Sequence, residues 1–346
     1  MKQFIKNTTT FFLLALIPLV LLTVGYLYYD PFQVLRSYRD YSNQYVISNR
    51  DYISTETFIN NNDKQNYNSF IFGSSRTLGF KPSSWVKYLP KGAQPFSFDA
   101  SGESIYGIYK KIKFLDSLHI KPENALIILC RDDAFAHDGN HEGHIFIKDP
   151  KTSGESALRF QLKFYKAYFN IKFLFCFYAY TFTRHYHPYM NGFIEKRKVA
   201  YDTITNGIIL TDLNKELMQN TDRYYTTRAD IFYERTGERK DSISRISKKH
   251  LYMLTEVKRI LEKNKTNYKV VLSPLYEQIK FNDADLSLLK TLFGNRLYDF
   301  SGKNSFTDVK SNYYETNHFR PNVGDSIFQI IYKWSVPQND LKKEVQ

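Results

Sequence analysis

The chain predicts an α/β domain with a parallel sheet, carried behind a single membrane-spanning helix. Three observations support this. Residues 69–72, 95–98, 125–129, 268–272 and 296–300 are short apolar runs with the length and composition of buried strands. Amphipathic stretches separate several of them, the alternation expected of a parallel sheet. Residues 11–29 carry no charge and are long enough to cross the hydrocarbon core of a bilayer.

Taken in order, residues 1–10 contain Lys2 and Lys6 and read as a cytoplasmic amino terminus. Residues 11–29 read as an uncleaved signal anchor, because the apolar run ends in Tyr26-Leu27-Tyr28-Tyr29-Asp30-Pro31 and not in small residues at a cleavage site. A cleaved signal peptide is the alternative. Residues 30–67 are polar, rich in Asn, Asp and Tyr, and read as a stalk. The domain occupies 68–335. Its first strand ends at Gly73, which permits a sharp turn at the strand's carboxyl end. Ile105, Ile108, Tyr109, Ile112 and Leu115 keep the spacing of an amphipathic helix before the third strand.

From 149 to 242 the alternation stops, and the stretch reads as a large, mainly helical insertion dense in Tyr, Phe, Lys and Arg. A helix over 248–263, a strand over 268–272, a helix over 284–292 and a strand over 296–300 resume the order. Pro321 then opens a last helix with Val323, Ile327, Ile330 and Trp334 at helical spacing. Residues 336–346 are a polar tail.

A chain of 346 residues fits one elaborated domain. The net charge of +13 suits an anionic membrane surface or an acidic polymer. No nucleic-acid motif accompanies it, so nucleic acid is not an expected partner. Cys130 and Cys176 make no disulfide framework; buried free thiols are expected, with a single bridge the alternative. His137, His141 and His144, with Asp138 and Glu142, offer zinc-type ligands in one loop, but the spacing matches no zinc signature and the loop reads as flexible and polar. No metal or cofactor is assigned. The aromatic run 173–182 is too short to span a membrane; with the basic residues between Arg159 and Tyr201 it suits a core helix or a membrane interface.

Two distant segments carry the chemistry. Phe72-Gly73-Ser74-Ser75-Arg76 supplies a serine beyond a buried strand, and Glu315-Thr316-Asn317-His318 supplies a base with a carboxylate close enough to orient it. A serine hydroxyl needs such a base to attack an ester near neutral pH. In open α/β sheets, ligands bind at the carboxyl edge where the serine would lie. Each segment alone reads equally as a turn or a surface pair.

Together, the Gly-x-Ser after the first strand and the acidic-x-x-His before the last helix resemble the SGNH (GDSL-type) hydrolase superfamily. With the amino-terminal anchor, the chain is most similar to its bacterial cell-envelope branch, which includes the D-alanyl transfer protein of teichoic acids and the alginate O-acetylation proteins. The resemblance covers roughly 65–135 and 245–335. It implies a flavodoxin-like, three-layer SGNH domain with Ser75 as nucleophile, His318 as base, Glu315 as orienting acid, and the amides of Ser75 and Gly102 as oxyanion hole. It further implies O-acyl transfer or ester hydrolysis on a cell-envelope glycan, with an acyl donor supplied by a membrane-bound acyltransferase partner. The expected location is the cytoplasmic membrane, single-pass, with the catalytic domain outside.

Two departures stand against this pattern. Leu129-Cys130-Arg131-Asp132-Asp133 replaces the asparagine of the third block, and an ionised carboxylate donates no hydrogen bond. Glutamate stands where the acid is usually aspartate. A catalytically inactive binding or assembly protein of the same fold is therefore the alternative.

Overall fold

The computed structural model describes residues 1–332, so Trp334 and the expected tail at 336–346 lie outside the described residues. Helices α1 (Lys2–Tyr29) and α2 (Arg50–Gln65) precede strand β1 (Ser69–Gly73), and a 3-10 turn over Ser75–Gly79 leads to α3 (Pro82–Trp85). Strand β2 (Pro95–Ser97), helix α4 (Ile105–Ser117) and strand β3 (Asn124–Leu129) follow. The insertion then contributes α5 (Pro150–Ser153), α6 (Ala157–Tyr168), α7 (Ile171–Thr183), β4 (Val199–Tyr201), β5 (Ile208–Leu210), α8 (Thr211–Gln219), α9 (Thr221–Thr226) and β6 (Arg239–Lys240). The chain closes with α10 (Lys248–Lys263), β7 (Asn267–Leu272), β8 (Ile279–Lys280), α11 (Asp283–Phe293), β9 (Leu297–Asp299), β10 (Tyr313–Glu315), β11 (His318–Phe319) and α12 (Pro321–Tyr332).

The main sheet has five strands in the order β2-β1-β3-β7-β9, and every neighbouring pair is parallel. Counted along the sheet this is 2-1-3-4-5, a doubly wound order whose direction reverses between β1 and β3. Side chains alternate across it because successive residues of a strand face opposite sides. Phe70, Phe72, Ala125, Ile127, Leu129, Tyr268, Val270 and Leu272 pack with α2, α4, α10 and α11. Ile71, Leu126, Ile128 and Val271 pack with Phe80, with Trp85 of α3, and with Val323, Ile327, Phe328 and Ile331 of α12. Three layers result.

Two regions differ from the sequence expectation. Residues 30–67 are not a free stalk: Phe32, Val34, Tyr41 and Val46 join a core with α6 and α7, and the first half of α2 is buried. The charged residues buried in that half of α2 are paired: Arg50 lies 2.8 Å from Asp99. Lys111 lies 2.8 Å from Asp51 and 2.9 Å from Glu103, and Lys148 lies 2.6 Å from Glu103. Composition registers the charges but not the partners that arrive from elsewhere in the chain. The insertion holds the helices α5 to α9 and also the antiparallel β4–β5 pair.

Candidate active site

The turn after β1 separates the two serines. Gly73 has φ of +155°, and a Cβ there would stand 2.8 Å from the carbonyl oxygen of Ile128 on β3, so a side chain is excluded. Beyond it Ser74 points inward, buried, with its Oγ 3.6 Å from Cys130 Sγ. Ser75 opens the 3-10 turn, is half-buried, and has its Oγ 2.7 Å from His318 Nε2.

The base comes from a small antiparallel hairpin, not from the open loop expected from sequence. Strands β10 and β11 pair Glu315 with His318, and a Glu315 carboxylate oxygen contacts His318 Nδ1. The other Glu315 oxygen accepts the Asn317 backbone N–H at 2.8 Å. An ionised carboxylate only accepts, so Nδ1 carries the ring proton and Nε2 accepts the Ser75 hydroxyl. Burial pushes the Glu315 carboxyl up, but the hydrogen bond and charge of His318, with the Asn317 amide and Arg197, outweigh burial and hold it below the usual carboxylate range. The acid is therefore charged at neutral pH.

Gly102 sits in the loop after β2. Ala100 N–H donates to the Gly73 carbonyl at 3.2 Å, which brings this loop beside the nucleophile turn. Gly102 itself has φ of +54°, and the Phe146 ring lies 3.3 Å from where its Cβ would be. Asp99 ties the two together: it accepts Thr77 Oγ1 at 3.1 Å from the nucleophile turn and pairs with Arg50 at 2.8 Å, while its carbonyl accepts Lys111 Nζ at 2.9 Å. The sequence reading missed Asp99, Arg50 and Lys111, because nothing local marks residues that meet only in the fold.

Comparison with protein-family models, curated proteins and solved structures finds no match to this chain. What can be said of its chemistry rests on its own residues. The structure brings together Ser75, His318 and Glu315, and sets Gly102 in the neighbouring loop. At the position of the expected oxyanion asparagine, Asp133 pairs with Arg76 and Asp132 with Arg131. Arg131 is further engaged by Asp241 and Glu277, both at 2.7 Å.

The histidine loop does not converge on one point. His137 and His141 pack ring to ring, whereas His144 packs against Phe32 and Phe164. Among the described residues no group of three or more His, Cys, Asp or Glu side chains is placed to hold a metal. Cys130 and Cys176 are both buried free thiols.

The insertion also buttresses the base-bearing hairpin. Tyr224 OH donates to the Tyr314 carbonyl at 2.8 Å, and Tyr225 OH to the Tyr313 carbonyl at 2.8 Å. Arg197, in the basic run of the insertion, lies close enough to act on the Glu315 charge. A cleft of about 820 Å³ lies away from Ser75, lined by Phe232, Tyr233, Arg235, Tyr276 and Lys310. It adjoins the hairpin through Tyr276, whose ring packs on Tyr313 at 5.3 Å. The cleft's lining has no serine or cysteine beside a histidine.

Proposed function

We propose that the chain is an SGNH-like serine acyltransferase or esterase anchored in the cytoplasmic membrane and acting on O-acyl groups of a cell-envelope glycan. The observation that carries this reading is the line Ser75 Oγ, His318 Nε2, His318 Nδ1, Glu315, closed by residues more than two hundred positions apart in sequence. In the reaction, Ser75 Oγ attacks the donor's ester carbonyl carbon while its proton passes to His318 Nε2. The backbone amides of Ser75 and Gly102 receive the developing oxyanion. Collapse expels the donor alcohol, which takes the proton from His318 and leaves Ser75 acylated. A sugar hydroxyl then loses its proton to His318 and attacks the acyl carbon, and Ser75 regains the proton as it leaves. Water in place of the sugar gives hydrolysis.

Helix α1 is long and apolar enough to cross a membrane. Lys2 and Lys6 favour a cytoplasmic amino terminus and hence an extracytoplasmic domain. A membrane-bound acyltransferase would supply the donor. Retention of the anchor is supported by packing: Tyr26 is 3 % exposed and belongs to the same core as Phe160, Phe164 and Phe177. Cleavage after the span would remove a core residue.

The third block has Asp132 and Asp133, each paired with an arginine, and no asparagine amide to donate to an oxyanion, and this favours, as a second reading, an inactive assembly protein of the same fold. Fluorophosphonate labelling separates the two. The active reading expects labelling on Ser75, lost in Ser75→Ala and His318→Ala and kept in Ser74→Ala. A folded protein that labels nowhere, or on Ser74, overturns it.

A further inference from the structure

Helix α1 does not leave the membrane before meeting the domain. Between Lys6 and Asp30 no residue is charged, and spanning the hydrocarbon takes about 20 residues at about 1.5 Å each. Every such placement keeps Leu22, Thr23, Gly25 and Tyr26 inside the bilayer core or at its edge. Of these, Thr23, Gly25 and Tyr26 touch the α6–α7 hairpin, as does Tyr29 at the end of the helix, whose ring lies 5.7 Å from that of Phe177. Thr23 Oγ1 and Tyr165 OH share a hydrogen bond of 2.8 Å, and the Tyr26 ring packs against Tyr165 and Tyr168 at 5.5 and 5.1 Å. Gly25 lies against the Tyr168 and Tyr178 hydroxyls, which bond each other at 2.7 Å. Just outside, Arg36 donates to the Leu27 carbonyl at 2.7 Å.

The outer face of the same hairpin is apolar and uncovered. On α7, Ile171, Phe175 and Phe182 share a face with Tyr178 and are 83 %, 63 % and 76 % exposed. On α6, Leu158 and Leu162 are 69 % and 54 % exposed. The opposite faces, through Phe160, Phe164, Phe173 and Phe177, are spent on the core. Lys166 and Lys172 stand exposed at the turn between the helices and Arg184 at the far end of α7.

We propose that the α6–α7 hairpin is a membrane-embedded interfacial element, with Leu158, Leu162, Ile171, Phe175 and Phe182 in the acyl region of the leaflet on the domain side and the flanking cations among lipid phosphates. The inference rests on α1 being a retained anchor. Its occupant is lipid, because the face continues directly from the lipid-facing surface of α1 at a depth fixed by the Thr23 and Tyr26 contacts. Tyrosines at that depth are in the preferred zone for amphipathic rings, and the buried apolar area adds to the anchor's affinity. The consequence is a domain held in one orientation over the bilayer, with no free tether, so that a donor produced in the membrane meets Ser75 from a constant direction.

The test uses the full chain in nanodiscs of phosphatidylcholine and phosphatidylglycerol with brominated acyl chains, and tryptophan reporters read against the unsubstituted protein. Phe175→Trp and Phe182→Trp are expected to be quenched comparably to Leu14→Trp in mid-span. Tyr252→Trp, exposed on α10, is expected to be unaffected. Quenching at Leu14→Trp with Phe175→Trp and Phe182→Trp matching Tyr252→Trp overturns the hairpin proposal alone and leaves its face for a membrane-protein partner. No quenching at Leu14→Trp overturns the anchor, and the proposal with it.

Discussion

Replacing Glu315 by glutamine isolates the part of the triad that acts through charge. The side chain keeps its length, and its amide oxygen still accepts the Asn317 N–H, so the hairpin should survive. What disappears is the attraction between the carboxylate and the imidazolium that exists only after His318 has taken the Ser75 proton. The two side chains are 13 % and 26 % exposed, so screening is incomplete. At about 4 Å between charge centres and an effective dielectric of about 20, that attraction is worth roughly 4 kcal/mol. At about 1.4 kcal/mol per decade, acylation should slow by roughly a thousandfold. The assay is the second-order rate of fluorophosphonate labelling or of p-nitrophenyl acetate turnover, with circular dichroism as the check on folding. Glu315→Asp should fall between the two, since it keeps the charge and gives up one methylene of reach. A folded Glu315→Gln protein within threefold of the parent rate would refute the assigned role of Glu315, and with it the view that His318 becomes charged during the reaction.

Three further outcomes follow from the buried charges and the anchor. Burial pushes the Asp149 carboxyl up to about 7, with Asp51 and Glu56 adding to the rise and the Lys151 amide and charge opposing it. Its folded value thus lies above its unfolded one, so its contribution to stability is complete below about pH 4 and is lost as pH rises through about 7. That loss is on the order of a few kcal/mol; urea midpoints at pH 5 and pH 8 should separate less in Asp149→Asn than in the parent, and equal separation would contradict it. Lys111→Met leaves the buried Asp51 and Glu103 carboxylates with Lys148 as their one remaining shared ammonium and should cost about 3 kcal/mol in urea unfolding, while a cost under about 1 kcal/mol would show that the network is solvated. Full-length protein should resist carbonate extraction, and mass spectrometry of the mature form should retain residues 1–29; a stable soluble form beginning near residue 30 would contradict the packing role given to Tyr26.

Much of the sheet was legible in sequence. The apolar runs at 69–72, 125–129 and 268–272 are strands β1, β3 and β7 to within one residue at either end, because buried parallel strands need apolar residues on both faces and little else satisfies that pattern. The helix at 248–263 is α10 without adjustment, since Ser247 caps it through the His250 N–H and its apolar positions repeat at helical spacing. Ser75, His318 and Glu315 were also readable as candidates, because a reactive serine, a base and an acid are restricted to few residue types.

Tertiary structure decided the rest. That Ser75 meets His318 while Ser74 turns in toward Cys130 follows from the turn after Gly73, where the Ile128 carbonyl on the neighbouring strand leaves no room for a Cβ. The polar stretch after α1 looked like a solvated stalk because a sequence lists charges without their distances; Asp51 finds Lys111, and Arg50 finds Asp99, only when α2 docks on the sheet. The apolar stripe of α7 is ambiguous for the same reason. Its buried face is indistinguishable in sequence from its exposed one, and only the packing that takes Phe173 and Phe177 into the core and leaves Phe175 and Phe182 exposed tells them apart. Local composition determines what a segment tends to become, whereas pairing across hundreds of residues determines what it touches.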